Sequence, residues 1–149
     1  MSQGTGILFN DYVLKERKQT YAITDDYFLA FISNAIGTID FDAVDPVLAD
    51  LTVTSGGNVT ASYALASPTF SRVGGVVKFD VTDIAKILKD AGNPADVRCC
   101  VIYNGTSVGD DLIQVHDLTT DGTTPIDIVT QDFSDCVIYK TSSGVFLRL

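Results

Sequence analysis

The chain has no tryptophan, one methionine, one histidine, and only ten lysines and arginines against 19 acidic residues. Each shortage closes off a class of chemistry. Affinity for nucleic acid comes mainly from neutralising phosphates with a basic face. Here the formal charge is −9 and the cations are scattered apart from the run Lys15-Glu16-Arg17-Lys18, so nucleic acid is not an expected partner. Sugar-binding clefts commonly use indole rings, which are missing, so tyrosine would have to substitute. Hydrolytic nucleophiles commonly lean on a histidine base, which leaves His116 as the one candidate. Nowhere do about 18 uninterrupted apolar residues occur, as a membrane-crossing helix requires. The N-terminus also lacks the basic and apolar regions of a secretion signal. Synthesis in the cytoplasm and no membrane partner are the expectations.

Cysteine is scarce as well. Cys99, Cys100 and Cys136 are odd in number and two are neighbours, which suits no paired disulfide framework. They read as reduced, buried small hydrophobes.

What is present is apolar bulk. Hydrophobic residues make up 46 % of 149 positions and charged ones 19 %, which suits one domain, 1–149, able to bury its own core. The first nine residues, rich in glycine, are expected to form a flexible segment. Turn-forming clusters recur at 55–58, 73–75, 91–94, 104–111, 119–125 and 141–144 and cut the chain into strand-length pieces. Strands are expected at 27–33, 46–54, 59–65, 76–81, 97–103, 112–118, 126–131, 136–140 and 145–149, all rich in Val, Ile, Phe, Tyr or Thr.

Two segments carry helical spacing instead. Over 10–19, Asn10 can cap a helix with Tyr12 and Val13 inward and Lys15, Glu16 and Lys18 outward. Over 82–92, Thr82 caps, Asp83 sits at the positive end, Ile84, Ile87 and Leu88 form a stripe, and Gly92 follows. The expected fold is therefore mainly β: an antiparallel β-sandwich or jelly-roll-like barrel of about eight short strands with two short α-helices.

Strands 27–32 and 99–103 are apolar on both faces, so both faces need cover, from the helices or from another copy of the chain. The second of these opens the stretch "RCCVIYNGTSVGDDLIQVHDL" (98–118), which holds two cysteines and the histidine. Cys99 or Cys100 across a hairpin from His116 would make a thiol–base pair; the plainer alternative is a packed histidine. Zinc is disfavoured, because adjacent strand residues point to opposite faces and Cys136 with His116 leaves too few ligands. Asp40, Asp42 and Asp45 of one loop and Asp110 and Asp111 of another could reach a calcium ion, yet a calcium hand's glycine and terminal glutamate are absent; solvated turn carboxylates are favoured. The glycine clusters lack phosphate-loop spacing. No metal or cofactor is expected.

The order of pieces carries more than any one site. "FNDYVLKERKQTYAITDDYFLAFISNA", "ADVRCCVIYNGTSVGDDLIQVHDL" and "SSGVFLRL" together resemble small structural virion proteins of tailed bacteriophages. The likeness rests on Asn10, Asp11, Arg98, Val101, Ile102, Tyr103, Asn104, Asp111, Leu112, Ile113, Ser143, Gly144 and Val145, and it departs at the doubled cysteine and the helix at 83–91. It implies a non-enzymatic virion subunit, a capsid decoration (cement) protein that binds and stabilises the outer capsid surface. Its partners would be the major capsid protein or another virion protein, and copies of itself, a trimer first. The N-terminal segment, the loop 35–46 and the loop 104–111 are the expected contact elements, which singles out Ile7, Leu8, Phe9, Ile39, Phe41, Asn104, Thr106 and Val108. Two other readings stand beside it. A tail- or head-fibre module for host recognition or carbohydrate binding would expose Tyr63, Tyr103 or Tyr139, and a cysteine-dependent enzyme would use Cys100 and His116.

Overall fold

The computed structural model describes residues 6–17, 24–67, 69–73, 76–80, 85–133 and 147–148. Its strands are β1 (Ile7–Leu8), β2 (Tyr27–Ile32), β3 (Tyr63–Ala64), β4 (Thr69–Val73), β5 (Val76–Asp80), β6 (Cys99–Asn104), β7 (Asp111–Asp117) and β8 (Leu147–Arg148). One α-helix, α1 (Asn10–Arg17), and two 3₁₀ turns, Ile36–Thr38 and Leu48–Asp50, complete the regular structure among the described residues. The protein is mainly β. A five-stranded antiparallel sheet runs in the order β1-β7-β6-β2-β3, and a three-stranded one in the order β4-β5-β8.

Pairing puts Phe31, Cys100 and His116 side by side across β2, β6 and β7, and Phe28, Tyr103 and Leu112 side by side on the other face. One irregularity, between Ile102 and Tyr103, leaves Ile113 as the extra residue of a bulge. Both faces are sealed within one chain: Leu29, Ala30 and Ile32 are fully buried and Phe31 is 1 % exposed. The cover comes from the chain itself, so the doubly apolar strands do not require a neighbour. On the Phe31 face, Phe133 and Tyr63 meet the Phe31 ring edge-on at 6.0 and 5.8 Å. On the opposite face Phe28 stacks on Tyr103 at 5.6 Å, and residues from 34 to 51 lie over Leu112.

The N-terminal segment is tied down from Gly6 onward. Ile7 pairs with Val115 and Leu8 with Gln114, and the Phe9 N–H donates to the Ile113 carbonyl at 3.0 Å. Gly6 allows this close approach, since a Cβ there would stand 2.0 Å from Gln114 Nε2 and 2.5 Å from His116 Cε1. Residues 1–5 of the expected flexible segment lie outside the described residues.

The second expected helix is corrected where it is described. Residues 85–92 are not helical; Ile87 instead forms an antiparallel bridge with Phe133, whose N–H donates to the Ile87 carbonyl at 2.9 Å. The Lys89 N–H donates to the Asp132 carboxylate at 2.9 Å. Distant partners thus take the backbone groups a helix would have paired, and Ile87 is buried while Leu88 is exposed, an extended-chain alternation. Among the strands, 46–54 contains a 3₁₀ turn between bridges at Val47 and Val53, and 59–65 shortens to β3. Over 126–131 no strand forms, because the Asp127 carboxylate accepts the Val129 and Thr130 N–H groups in a turn. β4 was not anticipated; it forms a hairpin with β5. Residues 136–140 lie outside the described residues.

Candidate functional site

α1 docks against β7 through Tyr12, 3 % exposed, and through Phe9 just before it, whose ring meets Phe41 at 5.1 Å. That docking turns Lys15 inward, a correction to the outward placement helical spacing suggested. The Lys15 ammonium lies 3.1 Å from Asp11, 3.1 Å from Asp45 and 2.8 Å from Asp111. Partial burial lowers its pKa, but the hydrogen bonds it donates to Asp111, Asp11 and Asp45 more than reverse this and hold it above the ordinary lysine value. The two acidic loops therefore do converge, around an ammonium. Among the described residues no group of His, Cys, Asp and Glu is arranged to hold a metal ion.

This clamp joins α1, the loop 39–47 and the start of β7. Val47 bridges Asp111, and the Leu48 N–H donates to the Asp110 carbonyl at 3.0 Å. Asp45 and Asp110 each adopt a left-handed backbone, at φ 50° and 61°, a conformation short polar side chains tolerate. The loop 105–110 is built from inside. The Asn104 side chain accepts the Thr106 and Ser107 N–H groups at 2.9 and 3.3 Å and donates to Asp25 at 2.8 Å. The Ser107 hydroxyl donates to the Asn104 carbonyl and accepts the Asp111 N–H. At the tip, Val108 is 100 % exposed.

Three of the exposed large apolar side chains sit on segments gathered by Lys15: Leu14 at 49 %, Val44 at 85 % and Val108 at 100 % exposure. Over the Leu112 face of the sheet opens a cleft of about 310 Å³ lined by Phe9, Asn34, Thr38, Ile39, Asp40, Ala43, Pro46, Asp50, Leu51 and Leu112. No lysine or arginine occurs from 19 to 71, and Asp40, Asp42 and Asp50 are exposed, with neutral N–H donors as their described partners. The loop end of the sheet is apolar at its tips and acidic between them.

The expected contact residues divide accordingly. Ile7, Thr106 and Val108 are exposed, while Leu8, Ile39 and Phe41 are half-buried. Phe9 and Asn104, each 1 % exposed, belong to the interior and cannot present a surface; Asn104 instead shapes the loop that carries Val108. Leu14 and Val44 were missed. Val44 had a signal, as a lone aliphatic residue within "DFDAVDP".

Cys100 and His116 are direct cross-strand partners, and both are buried, at 0 and 4 % exposure. Burial pushes the His116 imidazole down to about 4, so it is neutral at pH 7. Burial, with Asp117 adding to it, pushes the Cys99 thiol up to about 12. Neither cysteine forms a disulfide, and neither lines the cleft over Leu112. Cys136 lies outside the described residues. The exposed tyrosine cluster of a glycan-binding module is not formed by the residues described: Tyr103 is buried under Phe28 and Tyr63 is half-buried, while Tyr139 lies outside them.

Among the described residues no helix is long and apolar enough to cross a membrane. Compared with protein-family models, with curated proteins and with solved structures, the chain gives no match.

Proposed function

We propose that the protein is a non-enzymatic structural subunit of a tailed-bacteriophage particle, a capsid decoration protein that stabilises the outer shell. It is made in the host cytoplasm and seats the loop end of its five-stranded sheet on the major capsid protein or another virion protein. Its two sheets pack as a β-sandwich or jelly-roll, and it works as a homo-oligomer, a trimer first.

The observation that carries this is the group Leu14, Val44 and Val108, exposed on three segments that one partly buried lysine fastens together. Apolar side chains held out on a rigid frame cost nothing further in ordering when they are covered, which favours use as a contact surface. The sealed thiols and neutral histidine suit a scaffold. Sedimentation with purified, undecorated capsids tests it: the wild-type chain pellets with the shells and raises their melting temperature, and a V44D/V108D variant stays in the supernatant. A wild-type chain that neither pellets nor stabilises capsids overturns the proposal.

A further inference from the structure

Leu88 stands apart from the loop-end apolar group. It is 55 % exposed and lies between Lys86 and Lys89, whose side chains are also exposed. The segment is held rigidly: Ile87 is pinned to Phe133, and the Leu88 carbonyl accepts from the side chains of Asn58 at 3.1 Å and Asn93 at 3.0 Å. Asp132 pairs with Lys86 at 2.9 Å and accepts the Lys89 N–H, and Asp90 turns its carboxylate to the Gly92 N–H. The outcome is an exposed apolar side chain on a fixed segment that also carries two exposed lysines, Lys86 paired with Asp132 and Lys89 without a carboxylate at its ammonium among the ion pairs described.

The cleft over Leu112 has the opposite character, with Phe9, Ile39, Pro46 and Leu112 among its apolar lining and Asp40 and Asp50 beside them. Its volume, about 310 Å³, is at the small end for ligand pockets, room for one or two side chains. Two cleft ends cannot face each other, because their carboxylates would repel. The Leu88 segment and the cleft also lie on opposite faces of the sheet: Phe133, the partner of Ile87, covers the Phe31 face, whereas Leu112 belongs to the other. One chain cannot satisfy itself.

We infer that Leu88 of one copy seats in the Phe9–Leu112 cleft of the next, with Lys86 and Lys89 set against Asp40 and Asp50. Such a contact is heterologous, so it builds a ring where the rotation between copies closes and an open filament where it does not. This takes up the homo-oligomer part of the proposed function and does not depend on the capsid.

The test uses the full chain without capsids. Analytical ultracentrifugation should show concentration-dependent assembly that weakens in high salt. Leu88→Asp and Lys89→Glu should each raise the dissociation constant about tenfold or more, with unchanged circular dichroism. In case a variant folds poorly, zero-length carbodiimide crosslinking of mixed isotope-labelled and unlabelled wild-type chains reads the contact directly. Crosslinks between copies from Lys86 or Lys89 to Asp40 or Asp50 support it. A monomer at every concentration, assembly untouched by both substitutions, or inter-copy crosslinks at other positions only would overturn it, whatever the capsid experiment gives.

Discussion

His116 enters the fold neutral, and that single residue makes stability depend on pH. Its imidazole titrates near 6.5 in the unfolded chain and at about 4 in the folded one, so the unfolded state binds the proton more tightly. The sign follows: the folded state has its full advantage above pH 6.5, loses it as pH falls, and loses no more from this group below about 4. The whole effect is about 3 kcal/mol, of which about 2 is gone by pH 5. The lowered carboxylates of Asp121, Asp127 and Asp132 carry the same sign in a lower window, their stabilisation being full above the ordinary value of 3.8 and lost as pH falls through it, so they leave the range from 6.5 to 5 to the histidine. Urea unfolding at pH 7 and pH 5 should therefore show a clear drop for the wild type and a much smaller one for His116→Gln. Equal drops in both would mean that the imidazole is not desolvated as described.

The helix α1 is held by one cation as much as by its apolar face. Lys15→Met removes the ammonium from between Asp11 and Asp111, whose side chains are only 14 and 12 % exposed. Two poorly solvated carboxylates then face each other, at a cost of about 2–4 kcal/mol. Hydrogen exchange should quicken over Asn10–Arg17 before it does in β6, and Lys15→Arg should recover part of the loss. Uniform quickening across the sheet would show instead that α1 unfolds only with the whole chain. This element also marks how far the sequence could be read. Its existence followed from Asn10, Tyr12 and Val13, but the direction of Lys15 depends on Asp45 and Asp111, far along the chain, and no local pattern reports them. β2, β6 and β7 were legible because their apolar runs leave one plausible use. The segment 82–92 misled for the opposite reason. Its capping residues and stripe favour a helix locally, and Phe133 and Asp132 outweigh that preference by pairing Ile87 and Lys89 from 40 or more residues away. The Cys100–His116 register was expected as one of two pairings, and the reading of the cysteines as buried and of His116 as packed agrees with their burial; what no local pattern reports is the cover, the Phe133 segment that meets Phe31 beside them.

At the scale of the whole molecule the charge is unevenly placed. The loop end carries Asp25, Asp26, Asp42, Asp45 and Asp110, with Asp40 and Asp50 along the cleft, and Lys15 is already surrounded by carboxylates. A partner seated there must supply positive charge around an apolar centre, so binding should weaken as salt rises, since exposed charges are screened within about 8 Å at physiological ionic strength. The apolar centre gives the sharper test, because the same residues could instead serve the fold. Val44 and Val108 are 85 and 100 % exposed, so changing both to aspartate removes almost no packing within the chain. The V44D/V108D variant should unfold within about 0.5 kcal/mol of the wild type, as substitutions at uncommitted surface positions do. Its attachment to capsids should nevertheless fail in low salt as well as high, because a buried aspartate without a partner opposes contact whatever the screening. A loss of stability above about 1 kcal/mol would mean that these valines are packed within the chain in solution, and the loop end would then be part of the core.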